Sequence, residues 1–247
     1  MQSGSEARNQ QSVRGARLLD RIDYRVAETP EEKDIIYLMR YRAYLHGGLI
    51  LPSESGRVTD PYDDAPNTWI IGVYVDGDLC GSLRIHVLKA DWRMSYATEL
   101  YGDVLHSRLD KGELFVDPAR FVADPEKAQR LPELPYLTVR VGYMASEYFN
   151  ADTTLAMVRP DHQPFYRRVF RHKLIAEPRA FPGWHAMKTS LMACDFRNDK
   201  EIIAARFPIM RSSAFERRML FERPSGRAFL PDEVVAPFGR PAIVSAA

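Results

Sequence analysis

Two β-rich runs, residues 69–75 and 79–88, flank Asp76-Gly77-Asp78, a grouping typical of tight turns. A hairpin here commits the chain to an antiparallel sheet, and the segments around it must cover that sheet. Upstream, residues 23–27 alternate as a short strand. Thr29-Pro30-Glu31-Glu32 then opens a helix with an N-cap, an N1 proline and acidic first-turn residues. Ile35, Leu38, Met39, Tyr41 and Leu45 keep helical spacing to about Leu45, and Gly47-Gly48 stops the helix. Residues 49–67 contain Pro52, Pro61 and Pro66 and are irregular.

Beyond the hairpin, a loop or short-helix insertion runs to about Lys111, and residues 113–122 are extended before a turn at Asp124-Pro125. Leu137, Val141, Met144, Ala145 and Tyr148 give residues 137–149 the spacing of a helix with a buried face. Residues 153–158 read as a strand, 163–170 as a helix and 187–194 as a strand. The order β-α-β-β-(insertion)-β-α-β-α-β puts antiparallel strands first and a helical crossover later. That order predicts an α+β sheet with helices on both faces.

With 247 residues, 45% of them hydrophobic and 27% charged, the chain suits one domain plus an extension and is not disordered throughout. We expect a flexible lead-in over residues 1–22, the domain over 23–196, and an arginine-rich extension over 197–247. The lead-in lacks the apolar core of a signal peptide. The extension is read as a short helix and irregular tail packed on the domain. A formal charge of +1 names no nucleic-acid partner. The longest apolar run, residues 69–75, is far too short to span a membrane. Cys80 and Cys194 show no metal or disulfide spacing, so no metal site is expected and a reducing cytoplasm is the default compartment.

Four clusters carry residue types suited to chemistry. Arg40 and Tyr44 share a helix face at i,i+4, either to complete a pocket or as a cation near the helix end. Asp60, Asp63 and Asp64, pinned by Pro61, repel one another unless cations or an amine lie near, although an Asx turn has the same pattern. Arg84 alternates with Leu83 and Ile85 on its strand and so points away from both, into solvent or a cleft. Asp117 and Arg120, three apart on a proline-bent strand, could orient one another beside a reaction centre or form a structural ion pair.

In order and spacing these clusters resemble the acyl-homoserine-lactone (autoinducer) synthases. The closer likeness is to the long-chain N-acyl amino acid synthases of the GCN5-related N-acyltransferase (GNAT) superfamily, over roughly residues 24–170. The resemblance implies a GNAT-like α+β fold with a central mixed, mostly antiparallel sheet. It implies transfer of a long-chain fatty acyl group from acyl carrier protein, or from acyl-CoA, to the amine of an amino acid, with no bound cofactor. It carries roles onto Arg40, Tyr44, Asp60, Asp63, Arg84, Asp117 and Arg120. Residues 47–52 read GGLILP without the tryptophan usual in autoinducer synthases, and Asp117 stands where they have glutamate. Both departures weigh against homoserine-lactone synthesis from S-adenosylmethionine, which stays an alternative. A non-catalytic acyl-binding module is the alternative from another class.

Residues 137–142, LTVRVG, have too few glycines for a loop whose amides cradle a CoA pyrophosphate, which favours the carrier protein as donor. Tyr166, near the start of the last core helix, matches the tyrosine that hydrogen-bonds the departing thiolate in this fold, or is a core aromatic. His162 could cap that helix, bind donor or act as base. Arg167, Arg168, Arg171, His172 and Lys173 form a basic rim suited to an acidic carrier, or simply a solvated helix face. Asp60, Asp63 and Asp117 are the candidate bases, and Arg40, Arg84 and Arg120 could hold the acceptor's carboxylate or keep these aspartates ionised. Backbone N–H groups over residues 121–124 would meet the oxyanion. Leu137, Val141, Met144, Phe149 and Met157 are the candidate tunnel wall, and the same positions suit a plain core.

Overall fold

The computed structural model describes residues 18–181 and 187–223. Seven strands form one mixed sheet in the order β1-β2-β3-β4-β5-β7-β6. They are β1 (Ile22–Val26), β2 (Thr68–Val75), β3 (Asp78–Leu88), β4 (Phe115–Ala123), β5 (Thr153–Val158), β6 (Lys173–Ala180) and β7 (Lys188–Asp195). Among the described residues seven helices cover it: α1 (Pro30–His46), α2 (Tyr96–Asp110), α3 (Pro125–Arg130), α4 (Leu134–Tyr148), α5 (Gln163–Phe170), α6 (Phe196–Arg206) and α7 (Ala214–Phe221). All neighbouring strands run antiparallel except β4 and β5, which are parallel and joined by the α3–α4 crossover. This is the expected α+β architecture with a mostly antiparallel sheet.

The hairpin forms because Asp76 and Gly77 both take positive φ, 51° and 88°, the backbone of a turn that matches strand twist. On β3, Leu83, Ile85 and Val87 share a core with β2 and with Leu134, Val141, Met144 and Ala145 of α4. Ser82, Arg84, His86 and Leu88 take the opposite face. There α2 lays a four-residue stripe, Ala97, Tyr101, Leu105 and Leu109, against Leu88, Phe115 and Leu155. Each buried leucine of that stripe contributes about 1.5–3 kcal/mol. At the other end of that face, α1 packs Ile36 on Ile70, and Met39 and Tyr44 on Val122. Its start is the expected cap, with Thr29 and Glu32 exchanging both capping-box bonds.

Several expectations change. The insertion is the 15-residue helix α2, kinked at Tyr101. β6 lies where no element was assigned; it is an edge strand containing Pro178, and an edge tolerates proline's missing N–H. The extension supplies two helices, and Arg140 of α4 ties it down by donating to the Ile209 and Arg211 carbonyls, both at 2.7 Å. Within the expected lead-in, Leu18 is buried and Arg21 pairs with Asp76; residues 1–17 and 224–247 lie outside the described ones. Among the described residues no helix is long and apolar enough to cross a membrane.

β4 and β5 pair only at Phe115↔Thr153 and Val116↔Thr154 and then part. Pro118 has no N–H to offer β5, and Arg120, at φ 52°, turns the strand further. α4 sits close beneath this parting because Gly142 has no side chain; a Cβ there would stand 2.9 Å from Pro118 Cγ. Gly142→Val therefore pushes α4 from β4, and we expect a loss of about 1–3 kcal/mol in urea unfolding. Wild-type stability for this variant would refute the close-approach role.

Candidate active site

Three arginines and two aspartates form a buried lattice between α1 and the sheet. Asp60 caps a 3-10 turn, Pro61–Asp64, in which Asp60 Oδ1 accepts from Tyr62 N–H at 3.0 Å, as an Asx turn does. The turn aims two carboxylates at the sheet. Asp63 Oδ1 accepts from Arg40 at 2.7 Å and from Arg84 at 2.9 Å, and Asp60 Oδ1 accepts from Arg84 at 2.6 Å. Asp60 Oδ2 accepts from Arg120 Nε at 2.8 Å and also from its Nη2. Asp64 faces outward to Lys33 instead. Arg40 and Arg84 are completely buried. Arg40 therefore acts as a buried partner of Asp63, six residues before the end of α1, and not as a terminal cation. Tyr44, one turn on, packs between Met39 and Val122.

Arg120 does not form the expected pair with Asp117. Its left-handed backbone carries the guanidinium back to Asp60, beside the Tyr96 ring at 5.3 Å. The carboxylates thus diverge. Arg120 and Arg84 hold Asp60 well below the usual range despite its burial. Asp117 is buried without such a clamp, and burial pushes its carboxyl up to about 6 against the opposing pull of the Ser95 hydroxyl and Arg84. Asp117 Oδ1 has no hydrogen-bond partner among the described residues. Nor do Arg40 Nε and Nη2, or Arg84 Nε and Nη2. The site therefore holds unpaired donors at the arginines and an unpaired acceptor at Asp117.

Asp117 belongs to a polar row across three strands, because Thr68 pairs in register with His86 and His86 with Asp117. His86 is completely buried and was not among the sequence candidates. The signal was present: it lies two residues past Arg84, so strand alternation puts both on one face. Recognising it requires knowing that this face is covered by helices.

On the opposite face, below the parting of β4 and β5, lies a narrow apolar cleft with about 20 Å³ of open space. Pro118, Val139, Gly142, Tyr143, Tyr166 and His172 are among its walls. The expected tunnel residues are elsewhere. Val141, Met144 and Phe149 pack in the core toward β2 and β3, and Met157 packs on the cluster around α2. Leu137 is fully buried and outside the cleft wall. The cleft uses another side of α4. Tyr166 does border it, with a hydroxyl that burial pushes up to about 12 and that keeps its proton at neutral pH. Residues 137–142, the stretch compared with a pyrophosphate loop, lie inside α4.

His162 is exposed, makes no side-chain cap, and sits 3.1 Å from Arg159 Nη2. Of the basic rim, Arg167, Arg168, Arg171 and Lys173 are exposed, whereas His172 is buried beside the cleft with its pKa lowered by burial to about 3, so it adds no charge. Arg171 is paired with Asp199, while Arg167 and Arg168 bond only the neutral Gln163 and Tyr136 side chains. Of the expected oxyanion donors, Asp124 N–H is committed to Cys80 O at 2.8 Å, and Val122 and Ala123 pair with β3.

The family model of the N-acyl amino acid synthase FeeM matches residues 35–195. No curated protein sequence matches. Among solved structures, FeeM, an N-acyl amino acid synthase from uncultured soil microbes, is similar with a TM-score of 0.56 at 16% identity, covering 73% of this chain and 94% of that one. BjaI, a CoA-dependent acyl-homoserine lactone synthase with SAM and isopentyl-CoA, gives a TM-score of 0.54 at 16% identity over 78% of this chain and 90% of that one. TofI, in a ternary complex with an inhibitor and MTA, gives 0.50 at 18% identity over 71% and 91%. The fold is GNAT-like, and because the family model spans more than half of the sequence, the chain belongs to the N-acyl amino acid synthase FeeM family of acyltransferases.

Proposed function

We propose that the protein joins a long-chain acyl group, delivered as a thioester by an acyl carrier protein, to the α-amine of an amino acid. One observation carries this reading. Asp117 is the first β4 residue beyond the β4–β5 pairing, on the charged face, and the next residue, Pro118, lines the apolar cleft on the other face. An amino acid is a zwitterion. Its carboxylate suits the unpaired donors of Arg40 and Arg84, and its ammonium suits the unpaired Asp117 oxygen. The apolar walls of the cleft suit the acyl chain, which must part them to enter.

An ammonium must lose a proton before it attacks a carbonyl. With a pKa near 6, Asp117 is ionised at neutral pH yet still able to accept, whereas Asp60 is held by two guanidiniums and is a poor base. Asp63 is likewise occupied by Arg40 and Arg84. The lattice thus binds and orients, and Asp117 is the base. β4 amides freed by the parting meet the oxyanion, and Tyr166 donates a hydrogen bond to the leaving sulfur. The second amine proton ends on that sulfur, giving an amide and a free thiol.

Two outcomes follow. Asp117→Asn cuts product formation at least about hundredfold, read by mass spectrometry of lipids from an expressing bacterial host. In the wild type, kcat/KM for the acceptor falls as pH drops below about 6. The folded-state pKa lies above the ordinary 3.8, so the native state binds more protons between those values, and this group's stabilisation is lost as pH rises through about 6. Asp117→Asn accordingly keeps or raises the melting temperature at pH 8. An active variant, or one that melts well below wild type, would reject Asp117 as a buried base.

The second outcome concerns the donor. Arg167 and Arg168 are exposed on α5, have no carboxylate partner among the described residues, and adjoin the cleft wall at Tyr166. Reversing both to glutamate lowers kcat/KM with acyl carrier protein about tenfold at low salt and leaves acyl-CoA turnover unchanged. Equal effects on both donors would remove the carrier-docking role.

A further inference from the structure

His86 is a buried titratable group that the reaction above does not use. Its tautomer follows from its neighbours. Thr68 has one hydroxyl hydrogen, and it goes to the Tyr62 carbonyl at 3.0 Å. Thr68 Oγ1 also lies 2.8 Å from His86 Nδ1, and with its hydrogen committed it can only accept there. Nδ1 therefore carries the proton. In the neutral ring Nε2 is left with a lone pair, and it has no hydrogen-bond partner among the described residues. Burial, with Arg84, Arg120 and Arg40 nearby and Asp60 opposing them, keeps the ring neutral at any physiological pH.

Asp117, directly across the strand pair, has a second unpartnered acceptor, and side chains at paired positions stand about 5 Å apart at Cβ. Leaving a buried acceptor unmatched is unfavourable by about 1–3 kcal/mol. Two such acceptors side by side fit a group with several N–H donors and repel an anion. Carboxylate recognition belongs to the arginines, so the strand row is the amine end of the site.

We infer that His86 Nε2 accepts a hydrogen bond from the substrate amine alongside Asp117, and that this pair selects primary over secondary amines. The inference rests on the amine-acylation reading above. The incoming ammonium has three N–H bonds. One proton passes to Asp117, and the electron pair it leaves forms the C–N bond. A second N–H stays bonded to His86 during attack and fixes the direction of that lone pair. As the C–S bond breaks, one of the two remaining N–H protons leaves nitrogen for sulfur, giving the amide and the thiol, and Asp117 returns its proton to solvent. A secondary ammonium has only two N–H bonds, so once one proton has passed to Asp117 the remaining one must leave for sulfur, and His86 is unmatched as the C–S bond breaks.

The test uses the full-length enzyme, palmitoyl carrier protein, the proteinogenic amino acid that the wild type acylates fastest, and the N-methyl derivative of that amino acid. His86→Asn keeps a donor toward Thr68 and removes the Nε2 acceptor. It lowers kcat/KM for the primary amine about tenfold, leaves the N-methyl substrate within about twofold, and does not change KM for the donor. His86→Gln, which returns an amide oxygen near the Nε2 position, recovers most of the loss. Equal losses on both amines would overturn the assignment while leaving acyl transfer intact. A wild type that acylates none of the twenty amino acids would instead remove the underlying reading, and the role of His86 with it. If His86→Asn does not fold, 15N-histidine spectra of the wild type decide. An unprotonated Nε2 signal that moves when the amino acid is added, and not when its deamino acid is added, supports the inference; a signal indifferent to both overturns it.

Discussion

Charge inside a protein is tolerated only when it is paired, and the lattice of Arg40, Arg84 and Arg120 with Asp60 and Asp63 is the point on which this structure turns. It joins four segments far apart in sequence: α1, the 3-10 turn after it, β3 and β4. Removing one member strands its partners in a dry interior, typically at about 3–5 kcal/mol, whereas an apolar set of equal volume would be as stable or more so. Stability alone therefore does not explain the lattice. Three guanidiniums against two clamped carboxylates leave a local positive excess, with N–H groups of Arg40 and Arg84 unpaired among the described residues, and the proposed holding of a substrate carboxylate would use both.

The same lattice shapes the sheet. Arg120 takes a left-handed conformation that is unfavourable for a side chain bearing a Cβ, by about 1–3 kcal/mol, and its two bonds to Asp60 hold it there. With Pro118 two residues earlier, that turn prevents β4 from continuing its ladder with β5. The strain and the opening have one origin. An apolar cleft on one face and a charged site on the other can exchange atoms only where the ladder between them is missing, and the other strand pairs are closed along most of their length.

How far this was legible in the sequence depends on how local each signal is. The hairpin, the capped α1 and the strand Thr153–Val158 are encoded within a few residues and are found where expected. α2 was readable from its Ala97, Tyr101, Leu105 and Leu109 stripe, but Gly102 and the kink at Tyr101 disguise it. β6 has no alternation to read, since an edge strand is not obliged to bury a face. Arg84 was singled out by alternation, and the same rule extended two residues reaches His86. The partner of Arg120 was not readable at all, because spacing suggests Asp117 three residues away, while a backbone turn sends it to Asp60, sixty residues distant. The cleft wall failed for a related reason. Periodicity locates the buried residues of α4, but nearly every side of that helix is buried, so it does not say which side meets the core and which meets a cleft.

Environment also resolves what residue type leaves open among the three aspartates. Asp60 and Asp117 are both nearly inaccessible to solvent, yet their pKa values move in opposite directions. Asp60 meets two guanidiniums in bonding contact, and Coulomb attraction there outweighs desolvation. Asp117 sits one register pair further along the same face, near enough to Arg84 to be moderated but not neutralised, so desolvation prevails. An acid held at about 6 burdens folding at neutral pH, and a neutral His86 with an unmatched Nε2 beside it adds to the burden. A sheet selected for stability alone would place apolar residues at both positions, as it does at Ile85 and Val87 on the other face. Two unfavourable polar groups side by side, at the point where the strands part, are what the proposed substrate amine would match by supplying the missing donors.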